Sequence, residues 1–380
     1  MYLIQKLQEH GLMWFVRRAV SELIKPTTSL GKYFRPFSLL IYVTISKPIN
    51  YFSSFRFTAT KSKSSLYFFY DLDIEPITYD FVWALCIANA KREELGLTSL
   101  HVVFVPGKVQ GLRKESSDYE RAVSSDARHW RIYSILIPAL KLLPCKFGIT
   151  FCNSREDARF IRQKQAKFVY PDKYNVTFPI PYAPEQAMQY YQNMLPLRAD
   201  NQALRYVLEW LNQHAPHKKT IVITLRQYAF APDRNSNINA WAKFAKTLDN
   251  NEFFVVFVPD MDQALNEQPK ALSEFHLFTP ACWNLNLRAA LYESAYLNLG
   301  VNTGPMALCW LNARCNYITF KAFSTTVPQA SMEVMIDRGF IPSENPKFAT
   351  PFQKWVWQED DFEIILEEFK WMCDSLEKRI

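Results

Sequence analysis

Residues 65–106 read SLYFFYDLDIEPITYDFVWALCIANAKREELGLTSLHVVFVP. Leu66-Tyr-Phe-Phe-Tyr70 is a short unbroken apolar run, as expected of a strand covered on both faces. A polar loop follows, Asp71-Leu-Asp73-Ile-Glu75-Pro76. From Tyr79 to about Leu95 the apolar residues Phe81, Val82, Leu85, Ile87, Ala88 and Leu95 predict a helix, which Gly96 ends. His101-Val-Val-Phe-Val-Pro106 is a second strand. This is a β-α-β unit with a crossover long enough to make the two strands parallel.

Working outward, the alternation continues. A polar loop over 106–118 precedes a helix expected near 119–141 and a strand at Phe147–Phe151. Asn153-Ser154 can cap a helix starting at Arg155. Residues 170–200 are rich in Pro and Tyr and mark a domain boundary. A second α/β series follows. Its strands are Thr220–Leu225, Phe253–Val258, Phe275–Phe278, Tyr296–Gly300 and Tyr317–Phe320. Helices are expected at 202–213, 238–249, 287–293 and from Pro305 through Leu311. Phe362–Leu376 is an amphipathic terminal helix after the aromatic segment holding Trp355 and Trp357. The expected divisions are a basic segment (1–64), a first Rossmann-like domain (65–195), a second (196–345) and a helical tail (346–380). Ligands of such sheets bind where strand C-termini face the cleft.

Composition narrows the chemistry. Hydrophobic residues are 49% and charged residues 21%, which excludes a disordered chain. The 9 glycines form neither G-x-G-x-x-G nor a P-loop, so a Gly-rich phosphate loop is absent. The 7 cysteines are odd in number and include no C-x-x-C. They read as reduced thiols of a cytosolic protein. His214 and His217 sit in a polar turn without an acidic or thiol partner, so no metal site is expected. The net charge is +7, yet residues 1–65 carry ten Lys/Arg against Glu9 and Glu22, so the remaining 315 residues sum to −1. Leu12-Met-Trp-Phe-Val16 with Ala19, Val20, Leu23 and Ile24 places an apolar face beside that charge. This suggests a peripheral anchor on an anionic membrane surface; the alternative is a helix packed on the protein body. No run is long enough to span a bilayer, and no recognisable nucleic-acid module follows the basic segment.

The chemistry-bearing stretch is Leu287-Arg-Ala-Ala-Leu-Tyr-Glu-Ser-Ala-Tyr-Leu-Asn-Leu-Gly-Val-Asn-Thr-Gly-Pro-Met-Ala-Leu308. Thr303-Gly304-Pro305 lies where a strand feeds a helix. Gly304 permits close approach of a ligand, and Pro305 suits the first turn, where free N–H groups can hold a phosphate. An ordinary strand-to-helix turn reads the same way.

This stretch resembles the C-terminal half of GT-B glycosyltransferases, in particular the heptosyltransferase-like family. There, a helix of the type ELAALLSRA leads to a strand and then D-T-G-P-M-H-L-A. The likeness is close here and looser over 200–345. Two departures stand out: Asn302 replaces the family's Asp, and Ala307 its His. The resemblance implies an α/β protein of two Rossmann-like domains facing a cleft (GT-B type), with the basic segment and C-terminal helix added. It implies that Asn302, Thr303, Gly304, Pro305 and Met306 bind a nucleotide-sugar donor. It also implies that Arg226 and Arg234 grip the diphosphate and that Glu293 receives a ribose hydroxyl, unless it pairs with Arg288 or Arg314. The base that takes the acceptor proton is Asp80 by this resemblance. Asp71 and Asp73 are equally placed at the end of the first strand, and their D-x-D spacing is read as coincidental. No metal and no cofactor are then required.

The implied protein is a cytoplasmic glycosyltransferase, peripheral on the inner membrane face, that moves a sugar to a lipid-linked envelope glycan. The rivals are a polysaccharide pyruvyl transferase, a sugar epimerase of the same architecture, and a catalytically silent membrane-docked subunit.

Overall fold

The computed structural model describes residues 62–324 and 331–378. The expected basic anchor lies outside the described residues, apart from 62–64, which open the first strand. The first sheet contains β1 (Ser62–Asp71), β2 (Ser99–Val105), β3 (Lys146–Phe151) and β4 (Ala166–Tyr170), in the order β3-β2-β1-β4. The second contains β5 (Lys219–Thr224), β6 (Phe253–Val258), β7 (His276–Leu277), β8 (Leu297–Val301), β9 (Tyr317–Phe320) and β10 (Gln353–Trp355), in the order β10-β9-β8-β5-β6-β7. Every pairing is parallel, with Leu66 opposite Leu100 and Ile223 opposite Leu299. The expected α/β architecture of two parallel sheets is present.

Parallel strands need both faces covered, and the apolar runs supply what is covered. Phe68, Tyr70 and Phe104 are buried with Phe81 of helix α1 (Asp80–Glu94). Over Phe81–Ala90 every residue of that helix but Trp83 is buried, so its apolar residues are spread around the axis, while its last turn is charged. Its Trp83 meets Trp310 at 6.0 Å and Phe348 at 5.6 Å between ring centroids, which joins the two sheets through one core. Helix α2 (Arg155–Phe160) opens with a capping box at Ser154. Helix α3 (Asn201–His214) buries Ala203, Val207 and Leu211 on one stripe, and packs on helix α5 (Leu285–Ser294). On the other side of the second sheet, helix α4 (Ile238–Thr247) packs on the terminal helix α7 (Phe362–Glu377). The apolar face of α7 is Ile365, Phe369, Met372 and Leu376.

Three features differ from expectation. The 119–141 helix is broken. Ser116 caps Ser117–Ala122, and Ser124 caps Ser125–Arg131, so the chain leaves the helix at Val123. A π-turn, Ile132–Leu136, then precedes Pro138, which has no N–H for a regular ladder. Strands β4 and β10 were not expected, since each is a short edge strand carrying a lysine.

Both sheets reverse direction once. In the second sheet the chain goes outward from β5 through β6 to β7, then returns to β8 on the other side of β5. In the first sheet the reversal lies between β1 and β4. The crevice at such a switch point is where open α/β sheets bind ligands.

In the first sheet that crevice is closed by a buried ion pair. Both Asp71 oxygens accept from Arg155 at 2.8 Å, and the Tyr174 hydroxyl adds a bond of 2.5 Å. Asp71 is only 1% exposed. Arg155→Ala strands this carboxylate and is expected to cost about 3 kcal/mol or more in urea unfolding. Asp71→Asn in the same chain is expected to recover part of that loss. A cost below about 0.5 kcal/mol, as for an ordinary surface change, would show the pair to be dispensable.

Candidate active site

The second sheet's switch point lies between the ends of β5 and β8. Arg226 follows β5, and its side chain turns inward. Its guanidinium donates to the carbonyls of Ala231 at 2.9 Å and Phe230 at 2.5 Å, and to the Asn235 side chain. Its backbone N–H donates to Ser236 Oγ, and its carbonyl accepts from Ser236 N–H, both at 2.9 Å. Loop 227–236 is therefore wrapped around a buried guanidinium. The guanidinium expected to grip a diphosphate here pins the loop that presents Arg234. Arg234 donates to the Asn302 carbonyl at 2.8 Å and so bridges the two strand ends. Burial pushes the Arg226 pKa down to about 10, and Arg234 lowers it further by like charge. Arg234 is also lowered by burial, against the pull of Asp233 and Asp80. Two half-desolvated cations in one loop are relieved by an anion.

The turn after β8 is built from the other side. Asn302 N–H donates to Phe320 O at 2.8 Å, and its side-chain amide donates to Ala322 O at 2.7 Å. A carboxylate could not make that second bond, which accounts physically for an amide at this position. Thr303 is buried and extended, and Gly304–Met306 is a 3₁₀ turn leading into helix α6 (Ala307–Trp310). Pro305 stands at the start of that turn. Met306 is fully buried and its sulfur approaches Gly300, so this expected donor contact is a core residue. Gly304 is the telling position. A Cβ added there would lie 2.8 Å from Cδ2 of Tyr79, a residue belonging to the first sheet's half of the molecule.

Tyr79 immediately precedes Asp80. Asp80 opens α1, is exposed, and accepts from the Thr78 hydroxyl at 2.5 Å. Its charge acts on Arg234 from across the cleft. Asp80, Arg234, Asn302, Thr303 and Gly304 are thus brought to one place. Asp71 is not available there, since it is held by Arg155 and Tyr174. Asp73 is also engaged: Lys108 donates to it from the backbone and from Nζ, each at 3.0 Å. Burial would raise the Asp73 pKa, but the Lys108 bonds prevail and lower it. Glu293 is occupied too. It accepts from Ala199 N–H at 2.7 Å, Asn312 Nδ2 at 2.9 Å and Arg314 Nη1 at 2.8 Å. The pairing with Arg314 is realised, and Glu293 ties down the segment that leads into α3.

Further contributors were not found from sequence. Arg131 reaches from the broken helix to Tyr228 Oη on the far side at 3.1 Å, and its charge is felt at Tyr79. Tyr119 and Phe230 meet edge to face at 5.3 Å beside it. Glu75, in the loop before Asp80, is buried and accepts from Tyr182 N–H at 2.7 Å. Burial, with Asp80 adding, raises its pKa to about 7. A basic residue before a π-turn, an acid in a strand-end loop and a Tyr beside a helix start carry no local mark of proximity. Among the described residues, no group of three His, Cys, Asp or Glu could hold a metal ion. No described helix is long and apolar enough to cross a membrane.

No family model and no curated protein matches this chain. Among solved structures it is similar to a family 9 glycosyl transferase from Veillonella parvula: 10% identity, TM-score 0.49, covering 82% of this chain and 90% of that one. It is similar to the ADP-heptose lipopolysaccharide heptosyltransferase II of E. coli: 10% identity, TM-score 0.49, covering 83% and 99%. It is more distantly similar to the wall teichoic acid polymerase TagF: 8% identity, TM-score 0.30, covering 93% of each chain. At these identities and TM-scores, the likenesses assign no residue a role.

Two substitutions test the geometry. Gly304→Ala drives a methyl into the Tyr79 ring and is expected to cost about 1–3 kcal/mol. In a Tyr79→Ala background the same change is expected to cost much less, and additive costs would deny the contact. Glu75→Gln imitates the protonated acid. Because the Glu75 pKa is raised in the folded state, its ionisation erodes stability as pH climbs from the unfolded value toward 7. The variant is therefore expected to match the wild type near pH 4 and to exceed it above pH 7. A pH-independent difference in unfolding free energy would refute the assignment.

Proposed function

We propose that this chain is a glycosyltransferase that moves a sugar from a nucleotide-sugar donor to a hydroxyl of a lipid-linked cell-envelope glycan. One observation carries the reading: the exposed Asp80 stands at the helix start that lies on the Thr303-Gly304-Pro305 turn, at the switch point of the second sheet. A carboxylate on one wall and buried cations on the other suit a displacement that generates an anion. The acceptor hydroxyl enters beside Asp80, and its oxygen bonds to the anomeric carbon as Asp80 takes the proton. The bond from that carbon to the diphosphate oxygen breaks, and the nucleoside diphosphate leaves.

Charge on the leaving group is met from the second domain. A guanidinium has five N–H groups; Arg234 spends one on the Asn302 carbonyl and has donors left for a diphosphate. Arg131 adds positive charge from the first domain's side. Fixed donors of this kind stabilise a developing anion because they need not reorganise. They do the work that a divalent cation does elsewhere, so transfer without metal is part of the proposal. The charge excess in residues 1–65 supports a peripheral position on the inner membrane face, where lipid-linked acceptors are reached.

Asp80→Asn keeps the shape and removes the base. With a nucleotide-sugar panel and lipid-extracted acceptor, it is expected to lower transfer by about 10²–10⁴. Nucleoside diphosphate affinity is expected to stay within a few-fold of wild type. Undiminished transfer by the variant would rule out Asp80 as the base.

A further inference from the structure

Beyond the cleft, one surface of the first domain is unusually apolar for its position. Phe178 is 78% exposed, Phe160 is 54% exposed and Ile180 is 43% exposed. Phe178 and Ile180 alternate with prolines in Thr177-Phe-Pro-Ile-Pro181, which holds the segment extended at little entropic cost. Phe160 ends α2, next to Arg159. A cavity of about 320 Å³ opens between Arg159, Arg162, Gln163 and the turn Tyr174–Thr177, which places two guanidinium side chains beside the turn that leads into Phe178.

The turn beneath Phe178 is rigidly held. Tyr174 Oη donates to Asp71, and Arg155 Nη2 donates to the Val176 carbonyl, both at 2.5 Å. Arg162 Nε donates to the Tyr174 carbonyl at 3.2 Å. Asn175 Oδ1 accepts from Thr177 N–H at 2.8 Å and Phe178 N–H at 3.4 Å. The aromatic tip is thus presented to the outside by a braced loop. Arg159 and Arg162 stand beside the turn, and Lys164, Lys167 and Lys173 lie close to it in sequence. The acids Glu156, Asp157 and Asp172 are weaker counterweights. Glu156 pairs with Arg159 at 3.3 Å, and Asp157 is spent on the capping box.

We infer that the Phe178–Ile180 segment docks on an anionic lipid bilayer, with these two side chains inserted among the headgroups and the neighbouring Arg159 and Arg162 on the lipid charges. Exposed apolar groups ringed by lysine and arginine suit that interface. The loop continues to Tyr182, whose N–H is bound by Glu75 in the loop bearing Asp80. The docked face and the base therefore share one braced chain segment.

This inference rests on the membrane placement proposed above, and its test separates the two. Full-length protein is sedimented with vesicles of phosphatidylcholine, with or without phosphatidylglycerol, alongside the variants Phe178→Ser/Ile180→Ser and Arg159→Ser/Lys164→Ser. Wild type is expected to bind the anionic vesicles and to lose binding with added salt. The apolar variant is expected to fall roughly tenfold or more in partitioning, and the basic variant several-fold, with nucleoside diphosphate affinity retained by both. Wild-type binding that both variants keep would overturn this face and leave the membrane placement standing. No wild-type binding would overturn both. Equal binding to neutral vesicles would overturn the anionic surface. A wild-type dimer that the apolar variant loses would assign the face to a second copy instead.

Discussion

Gly304 has no side chain, and the Tyr79 ring from the other half of the molecule lies where one would be. That contact joins the start of α1 to the turn after β8. It is backed by Trp83 of the same helix, packed on Trp310 just beyond the turn. Asp80 sits between these two anchors in sequence and cannot shift without moving one of them. The distance from Asp80 to the Gly304 turn is thus a packing distance, fixed before any ligand enters. Such preorganisation is what a positioned proton acceptor needs.

The second constraint is a division of labour among arginines. Arg226, Arg234 and Arg155 all follow strand ends or open helices, yet they do different things. Arg155 neutralises Asp71 and closes the first sheet's crevice. Arg226 is consumed by carbonyls of its own loop. Arg234 alone of the three spans from the β5 loop to the β8 turn, and it feels Asp80 across the gap. The first crevice is therefore sealed by an internal pair, whereas the second has cations whose charge burial disfavours. Among the described residues, the positive charge left without a carboxylate partner therefore lies at the second crevice and not at the first.

Much of the fold was legible because parallel strands are buried on both faces. Phe68, Val102, Val222 and Leu299 needed only to be apolar in short runs for β1, β2, β5 and β8 to be found. β4 and β10 are edges, where Lys167 and Lys354 interrupt the run, and they went unseen. The candidate site was half legible as a grouping of residues. Thr303-Gly304-Pro305 and Asp80 could be named from local pattern and resemblance, whereas the ring that pairs them, Tyr79, looked like any residue before a helix. Arg226 and Arg234 were indistinguishable in a polar loop, since what separates them is the direction in which Ala231 and Asn235 fold the loop back. Asp71 looked like a strand-end acid because its partner lies far along the chain at Arg155.

The central claim is that an anionic nucleotide group is held between Asp80 and the Gly304 turn without help from a metal. Calorimetric titration of the wild-type chain with UDP, GDP, ADP and CMP in the presence of a chelator tests it most directly. One nucleotide binding with a Kd between about 1 μM and 1 mM, weakened roughly tenfold by Arg234→Ala, is the predicted result. Heats indistinguishable from dilution for every nucleotide, with and without added Mg²⁺, would contradict it.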